Sequence, residues 1–346
     1  MTELDAAQER HHPLTEQPRV AIVTGAGRGI GRAHALALAA AGTRVVVGDL
    51  GPAGRSPADV VVEEIRDAGG HAVAATHDIG CWKSGSRLVD TALDAFGRLD
   101  VLVCNAGILR GGLVADLDEE DVDAQLRVHL KGTLGPARAA AAHWRDRARA
   151  GEQGHARLIC TTSASGLYGM PGFAAYGAAK AGIAAFVVIA ARELAQYGVT
   201  VNAIAPRAAT RMMTTALADL VAMGVLPDTP DTPDAADTPD TPDTPDTPDT
   251  PDTPDTPDTP DAAERADPAE PEDVSPLVEW LAGPDSAGVT GQVFEISGRR
   301  LGIAEGWRHG PFTESEHRFQ AATLGPVVTE LLQRAAAPPP APLRSR

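Results

Sequence analysis

Three side chains that can move a proton lie close together between residues 161 and 180. Ser163 carries a hydroxyl, Tyr176 a phenol and Lys180 an ammonium group. Tyr176 and Lys180 are four residues apart, so on a helix they share one face. The ordinary pKa of a tyrosine is about 10, and a cation one helical turn away favours the phenolate and lowers that pKa. The spacing indicates a tyrosine that acts as a general acid or base. On this pattern alone, a packing tyrosine beside a solvated lysine is the alternative.

A glycine-rich turn near the start of the chain indicates which kind of cofactor these three side chains would use. The apolar run 19–23 leads into the turn 24–31, which reads TGAGRGIG, and an Ala/Leu-rich helical pattern follows through residue 41. A second apolar run, 43–48, ends at Asp49. Strand, glycine turn, helix, strand and acid is the order of a nucleotide-binding βαβ unit. The glycines let the backbone approach a pyrophosphate, and the helix N-terminus offers it free N–H groups. We therefore expect a dinucleotide cofactor.

Asp49 bears on the choice between NAD and NADP. A carboxylate at the end of the second strand accepts hydrogen bonds from the adenosine ribose hydroxyls, whereas it repels a 2′-phosphate. This residue favours NAD. Arg28 inside the glycine turn could reach a phosphate, so NADP is the alternative.

The strand–helix rhythm continues along the chain. Further strands are expected at 71–75, 99–103, 157–161, 199–206 and 291–297, with helices between most of them. Repeated units of this length predict an α/β fold, a Rossmann-type doubly wound parallel sheet of seven strands flanked by helices. Ligands bind such sheets at the carboxyl ends of the strands. The domain is expected to span 19–225 plus 271–307.

The net charge of −17 is concentrated in one segment. Residues 228–261 contain twelve aspartates and no basic residue, and the rest of the chain nets only −5. Because no basic stripe remains, binding to nucleic acid is not expected. The same segment contains ten Thr-Pro-Asp triplets, which block helix and sheet. We predict a disordered insertion at 226–270, a disordered leader at 1–18 and a separate C-terminal tail at 308–346.

The cysteines and the hydropathy pattern bear on the compartment. Cys81, Cys104 and Cys160 have neither CxxC nor Cys/His metal spacing, which indicates reduced thiols in a cytoplasmic protein and predicts no metal site. No apolar run approaches the roughly 20 residues of a membrane helix, and the leader lacks an apolar core of the signal-peptide type. No membrane partner is expected.

The TGxxxGxG spacing, an Asn-Ala-Gly run at 105–107 and a serine 13 residues before the tyrosine resemble the short-chain dehydrogenase/reductase family. The resemblance implies that Ser163 hydrogen-bonds the substrate oxygen, Tyr176 exchanges the proton, and Lys180 lowers the tyrosine pKa and holds the nicotinamide ribose. The cofactor-binding residues that it implies, together with those above, are Gly25, Arg28, Gly29, Ile30, Gly31, Asp49, Asp78, Ile79, Asn105, Ala106, Gly107, Tyr176, Lys180, Pro206 and Thr210.

Two residues depart from the family pattern. His129 stands where most members carry an asparagine that supports a kinked helix and an ordered water. Its ring could still bond a water, and we include it in the catalytic group without an essential proton; simple packing is the alternative. Arg207 replaces the usual glycine after Pro206, which puts the turn geometry there in doubt.

Several longer runs are similar to the (R)-3-hydroxyacyl-CoA dehydrogenase unit of peroxisomal multifunctional enzymes of type 2. They include VVVEEIRDAGGHAVA, TALDAFGRLDVLVCNAGILR and TSASGLYG. The resemblance implies an NAD(P)-dependent oxidoreductase that interconverts a secondary alcohol and a ketone, with a 3-hydroxyacyl or 3-oxoacyl thioester as one candidate substrate. It also implies a homodimer or homotetramer built on helices 119–142 and 174–196. The alternative is a catalytically inactive dinucleotide sensor or scaffold, which the presence of Ser163, Tyr176 and Lys180 together argues against.

Overall fold

The computed structural model describes residues 18–52, 55–152, 154–208, 211–222, 224, 270–306, 310–313 and 324–335. The predicted disordered insertion and leader lie almost entirely outside these residues, as does much of the predicted tail. The assignments of those segments therefore stay predictions.

The sheet is the doubly wound one that the sequence predicts, with one more strand. Its order is β3-β2-β1-β4-β5-β6-β7-β8, and every neighbouring pair is parallel except β7 and β8. The strands are β1 (Val20–Thr24), β2 (Arg44–Gly48), β3 (Ala72–Ala75), β4 (Val101–Cys104), β5 (Ala156–Thr161), β6 (Val199–Pro206), β7 (Val293–Ser297) and β8 (Arg300–Ile303).

The additional strand β8 returns antiparallel along β7 through a two-residue turn. Ser297 pairs with Arg300, and Gly298 between them has a φ of 51°. Glycine at the first position of a two-residue loop is a hairpin signal, so this strand was predictable from the Gly298-Arg299 step. The sequence analysis missed it because the hydrophobic alternation of β8 is short.

Helices cover both faces of the sheet. They are α1 (Gly29–Ala40), α2 (Pro57–Asp67), α3 (Ser84–Phe96), α4 (Glu119–Gln125), α5 (Gly132–Arg149), α6 (Ala164–Leu167), α7 (Ala174–Leu194), α8 (Arg211–Ala222), α9 (Ser275–Ala282) and α10 (Leu324–Arg334). One core cluster joins the sheet to α3, α5 and α7, and a second joins it to α1, α2 and α9. Since both faces are buried, the strands consist of nearly continuous aliphatic runs.

The single helix expected at 119–142 is interrupted. Between α4 and α5, residues Leu126–Lys131 form a π-helical segment that contains His129. A π-helical turn inserts an extra residue into the helix and often occurs at functional sites. Here it redirects the chain, so that α4 and α5 are separate elements.

Helix α7 is more apolar than the sequence analysis recognised. Together with the turn after it, Ala174–Tyr197 is long and apolar enough by length and composition to cross a membrane, with 44% of its most apolar window buried. Its buried residues include Tyr176, Lys180, Ile183 and Val187, of which Ile183 and Val187 pack in the core against the sheet. We interpret it as a core helix.

His34 of α1 is a titratable group in the apolar core away from the strand ends. It is completely buried, and its Nδ1 lies 3.0 Å from Oγ of Ser275 at the start of α9. Burial lowers the pKa of His34 from 6.5 to about 3. Between about pH 3 and pH 6.5, His34 therefore binds a proton in the unfolded chain but not in the native protein.

We predict that His34→Gln weakens the loss of stability in mild acid. A histidine with a lowered native pKa costs stability as pH falls below 6.5, at about 1.4 kcal/mol per pH unit. Urea unfolding at pH 7.5 and 5.5 should show a smaller decrease in unfolding free energy for His34→Gln than for the unsubstituted protein. Equal decreases in the two proteins would contradict the assignment.

Candidate active site

The predicted site residues lie along the carboxyl edge of the sheet. Gly25 follows β1, Asp49 follows β2, Asn105 follows β4 and Ser163 follows β5, while Pro206 ends β6. This arrangement follows from the parallel pairing of these strands, because parallel strands end at the same edge.

The hydroxyl groups of Ser163 and Tyr176 interact with each other. Ser163 is the N-cap of α6, where its Oγ accepts a hydrogen bond from the backbone N of Ser165 at 3.2 Å. Its hydroxyl also interacts with the phenol of Tyr176, in the first turn of α7. The two residues are only 8% and 9% exposed. Burial raises the pKa of Tyr176, and the hydrogen bond with Ser163 opposes that rise.

Lys180 lies one turn further along α7 and is buried. Its Nζ donates to the carbonyl oxygen of Thr161 at 2.8 Å and lies 5.6 Å from the centroid of the Tyr176 ring. Burial lowers the pKa of Lys180 to about 8. The lysine is therefore close to the phenol but bonded to the end of β5, and the predicted lowering of the tyrosine pKa by Lys180 stays a prediction.

His129 lies beside the same tyrosine. Its ring meets the Tyr176 ring edge-on, with the centroids 5.1 Å apart. Nε2 is within hydrogen-bond distance of both the backbone N and O of Ile108, whereas the buried Nδ1 has no partner among the described residues. Burial and the charge of Lys180 lower the pKa of His129 to about 3. The ring is thus neutral near pH 7.

The glycine turn makes a cradle that side chains cannot enter. Gly25 and Gly29 have φ angles of 65° and 52°, a region that disfavours other residues. A Cβ on Gly31 would lie 2.1 Å from the carbonyl oxygen of Gly25 and 2.5 Å from Nδ2 of Asn105. Ile30 lies in the first turn of α1, and Arg28 is its exposed N-cap. This backbone fits the pyrophosphate of a dinucleotide at the helix N-terminus.

Thr24 is a functional residue that the sequence analysis missed. Its Oγ1 accepts hydrogen bonds from the backbone N of Asn105 at 3.0 Å and of Ala106 at 3.1 Å. In return, Nδ2 of Asn105 donates to the carbonyl oxygens of Thr24 and Gly25. These bonds fix the 105–107 segment against the glycine turn. A hydroxyl directly before the first glycine was the available signal.

The carboxylate of Asp49 lies against the glycine turn. One oxygen accepts a hydrogen bond from the backbone N of Gly27 and the other from that of Leu50, both at 2.7 Å. An adjoining cavity of about 300 Å³ is lined by Gly27, Arg28, Arg55, Ser56, Pro57 and Val60. Asp49 is therefore bonded to the glycine turn next to a cavity that two arginines line.

Asp78 and Ile79 form the next part of the wall, after β3. Asp78 accepts hydrogen bonds from the backbone N of Gly80 at 2.9 Å and from the guanidinium of Arg127 at 2.8 Å. Ile79 packs against Gly132, where a Cβ would lie 3.1 Å from its side chain. Arg127 belongs to the π-helical segment of His129, so this ion pair connects the two parts of the site.

The last predicted residues follow β6. Pro206 ends that strand, and the backbone N of Arg207 donates to the carbonyl oxygen of Ile296 in β7 at 2.8 Å. Arg207 therefore extends the strand pairing by one residue. Thr210 lies outside the described residues. In the part of the chain that the structure describes, there is no cluster of three His, Cys, Asp or Glu residues that could hold a metal ion.

Comparisons with known proteins show which family and fold the chain resembles. A family model described as short chain dehydrogenase matches residues 19–220. The hydroxyacyl-CoA dehydrogenase ChsB1 of Mycobacterium tuberculosis is 40% identical over 289 residues, which cover 82% of this chain and 78% of that protein. Mouse peroxisomal multifunctional enzyme type 2 is 44% identical over 222 residues, 62% of this chain but 29% of that protein. A crystal structure of a short chain dehydrogenase from Mycobacterium avium aligns with a TM-score of 0.75 at 42% identity, covering 93% of this chain and 97% of that one.

We predict that Gly31→Ala weakens dinucleotide binding, because its methyl group would collide with the carbonyl oxygen of Gly25. NADH fluorescence titration should show a dissociation constant raised at least about tenfold, equivalent to about 1.4 kcal/mol. Gly288→Ala is the control, since a Cβ there meets nothing within 4 Å. Undiminished binding by Gly31→Ala would show that the cradle is not the dinucleotide site.

Proposed function

We propose that this chain, which belongs to the short chain dehydrogenase family, interconverts a secondary alcohol and a ketone through the group formed by Ser163, Tyr176 and Lys180. Membership of the family makes it an oxidoreductase that uses a nicotinamide dinucleotide. The observation that carries the assignment of residues is that Ser163, Tyr176 and Lys180 are all buried, with Nζ of Lys180 5.6 Å from the centroid of the Tyr176 ring.

Each side chain of this group has a separate task. The bound nicotinamide supplies or accepts the hydride. Ser163 donates a hydrogen bond to the substrate oxygen and orients it, and Tyr176 transfers a proton to or from that oxygen. Lys180 places a positive charge beside the phenol, where it stabilises the phenolate that forms when the proton leaves. The cofactor ribose is held by the same lysine.

We assign His129 to positioning rather than to proton transfer. Its low pKa keeps it neutral, and it is fixed by Ile108 on one side. When Nε2 carries the ring hydrogen, Nδ1 is a buried acceptor that a water molecule can use. Such a water would lie among Tyr176, Lys180 and the π-helical segment.

The substrate class that we favour is the 3-hydroxyacyl and 3-oxoacyl thioesters. The relatives named above include a hydroxyacyl-CoA dehydrogenase. The surroundings of Tyr176 suit an acyl chain, because Leu109, Met170 and Phe173 form an apolar cluster around its ring. An inactive sensor is disfavoured, since dinucleotide binding alone requires neither Ser163 nor the phenol.

We predict that Tyr176→Phe lowers kcat by at least about 100-fold, the lower end of the usual general acid–base contribution. NADH binding should persist, because the phenyl ring keeps its packing. Turnover is measured by NADH absorbance with acetoacetyl-CoA, and binding by NADH fluorescence. Tyr197→Phe, which removes a phenol outside the site, is the matched control. Equal turnover by Tyr176→Phe and the unsubstituted protein would exclude this tyrosine as the acid or base.

We propose NAD rather than NADP as the cofactor. The carboxylate of Asp49 would lie near the adenosine ribose hydroxyls and would repel a 2′-phosphate. The positive charges of Arg28 and Arg55, which line the adjoining cavity, instead favour a 2′-phosphate. We expect the repulsion of that phosphate by Asp49 to outweigh this attraction.

We predict that Asp49→Asn reduces the ratio of kcat/KM with NAD to that with NADP by about tenfold, or about 1.4 kcal/mol. The substitution removes the charge at nearly constant shape. Asp94→Asn, on the exposed side of α3, controls for the change in net charge. If the unsubstituted protein already prefers NADP, the role assigned to Asp49 is wrong.

We also propose that a second copy covers the outer face of α7. Val188 and Ile189 on that face are 38% and 55% exposed in the single chain, and small residues beside them allow close helix packing. Together with α5, this face would form the interface of a homodimer or homotetramer.

The three cysteines are free in the described part of the chain, which supports a reducing, cytoplasmic compartment.

A further inference from the structure

Among the side chains of helix α8 that the structure describes, Leu220 is the buried one. Met212, Thr214, Thr215 and Ala218 are exposed, whereas Leu220 has no exposed surface. The helix follows β6 and precedes the residues that lie outside the described part. Leu220 is therefore the side chain that shows where α8 packs.

Leu220 fills a small space beside Gly172, here called the notch, which a side chain at position 172 would close. A Cβ on Gly172 would lie 2.2 Å from Cδ2 of Leu220, and the φ of Gly172 is 82°. The notch lies in the loop between α6 and α7, held by a hydrogen bond from the backbone N of Gly112 to the carbonyl oxygen of Gly172 at 2.8 Å. Gly172 thus connects the segment of Gly112 to the helix of Leu220.

The same leucine belongs to the apolar cluster of the reactive tyrosine. Phe173, Tyr176 and Leu220 form one buried cluster, against which Leu109 and Met170 pack. When the substrate oxygen lies at the phenol, the groups bonded to the reacting carbon must lie within this cluster. Phe173 and Tyr176 belong to α7 and its N-cap, whereas Leu220 is supplied by α8.

We propose that Leu220 is a specificity-determining residue, which limits the size of the apolar substituent bonded to the reacting carbon. This inference rests on the proposed function. Shortening Leu220 to alanine removes three carbon atoms and opens that volume to a longer or bulkier acyl chain. Leu220→Phe has the opposite effect. One methylene group in an apolar pocket commonly changes kcat/KM by a factor of about 10 or more.

The test compares kcat/KM for acetoacetyl-CoA and 3-oxodecanoyl-CoA in Leu220→Ala, Leu220→Phe and the unsubstituted protein. We expect the ratio of the long to the short substrate to rise at least about tenfold in Leu220→Ala and to fall in Leu220→Phe. NADH affinity should not change. Thr215→Ala, an exposed position of the same helix, is the control and should leave the ratio unaltered.

The outcomes separate the two proposals. If the unsubstituted protein reduces neither thioester, the proposed substrate class fails, and this inference fails with it. If it reduces them but the ratio stays within twofold in both Leu220 variants, the proposed function stands and the role of Leu220 is excluded. If Leu220→Ala does not fold, Leu220→Val and Leu220→Phe make the same comparison, and an unchanged ratio in those variants is equally decisive.

Discussion

The site depends on the hydrogen bonds that join Thr24 at the end of β1 to the backbone of Asn105 and Ala106 after β4. These bonds bring two loops so close that a Cβ on Gly25 would lie 2.6 Å from Cα of Ala106. Because both loops are fixed to neighbouring strands, the cradle inherits the rigidity of the sheet. Its shape is set by backbone atoms, so side-chain flexibility contributes little to it.

The reactive end of the site is arranged differently, through buried polar side chains. Ser163, Lys180 and His129 come from three segments and converge on Tyr176 with little exposure to water. The π-helical segment presents His129 to Tyr176, while Arg127 of that segment pairs with Asp78 on the cofactor side. The two halves of the site are therefore joined by one short stretch of irregular helix, which gives a structural reason for the irregularity.

The residues that the sequence made predictable are those with a local signature. The glycine turn, Asp49 and the Tyr176–Lys180 spacing depend on neighbours within a few residues, and the structure brings them to the expected edge. The bond between Thr24 and Asn105 joins positions 81 residues apart, so no local pattern encodes it. The π-helical segment was hidden for a related reason: its apolar periodicity is that of a helix, and only packing shows the extra residue. The position of Leu220 likewise depends on a contact that is distant in sequence, the notch at Gly172.

Burial has the same effect on the ionisation of Tyr176 and of Lys180. Burial raises the pKa of the phenol and lowers that of the ammonium, so on both side chains it disfavours the charged form. A phenolate beside an ammonium carries no net charge, and each partner stabilises the other's ionised form by the same free energy. Removing the proton from Tyr176 therefore strengthens the hold of Lys180 on its own proton. Because Lys180 is bonded to Thr161 at the end of β5, the sheet itself holds the ammonium in position for that coupling.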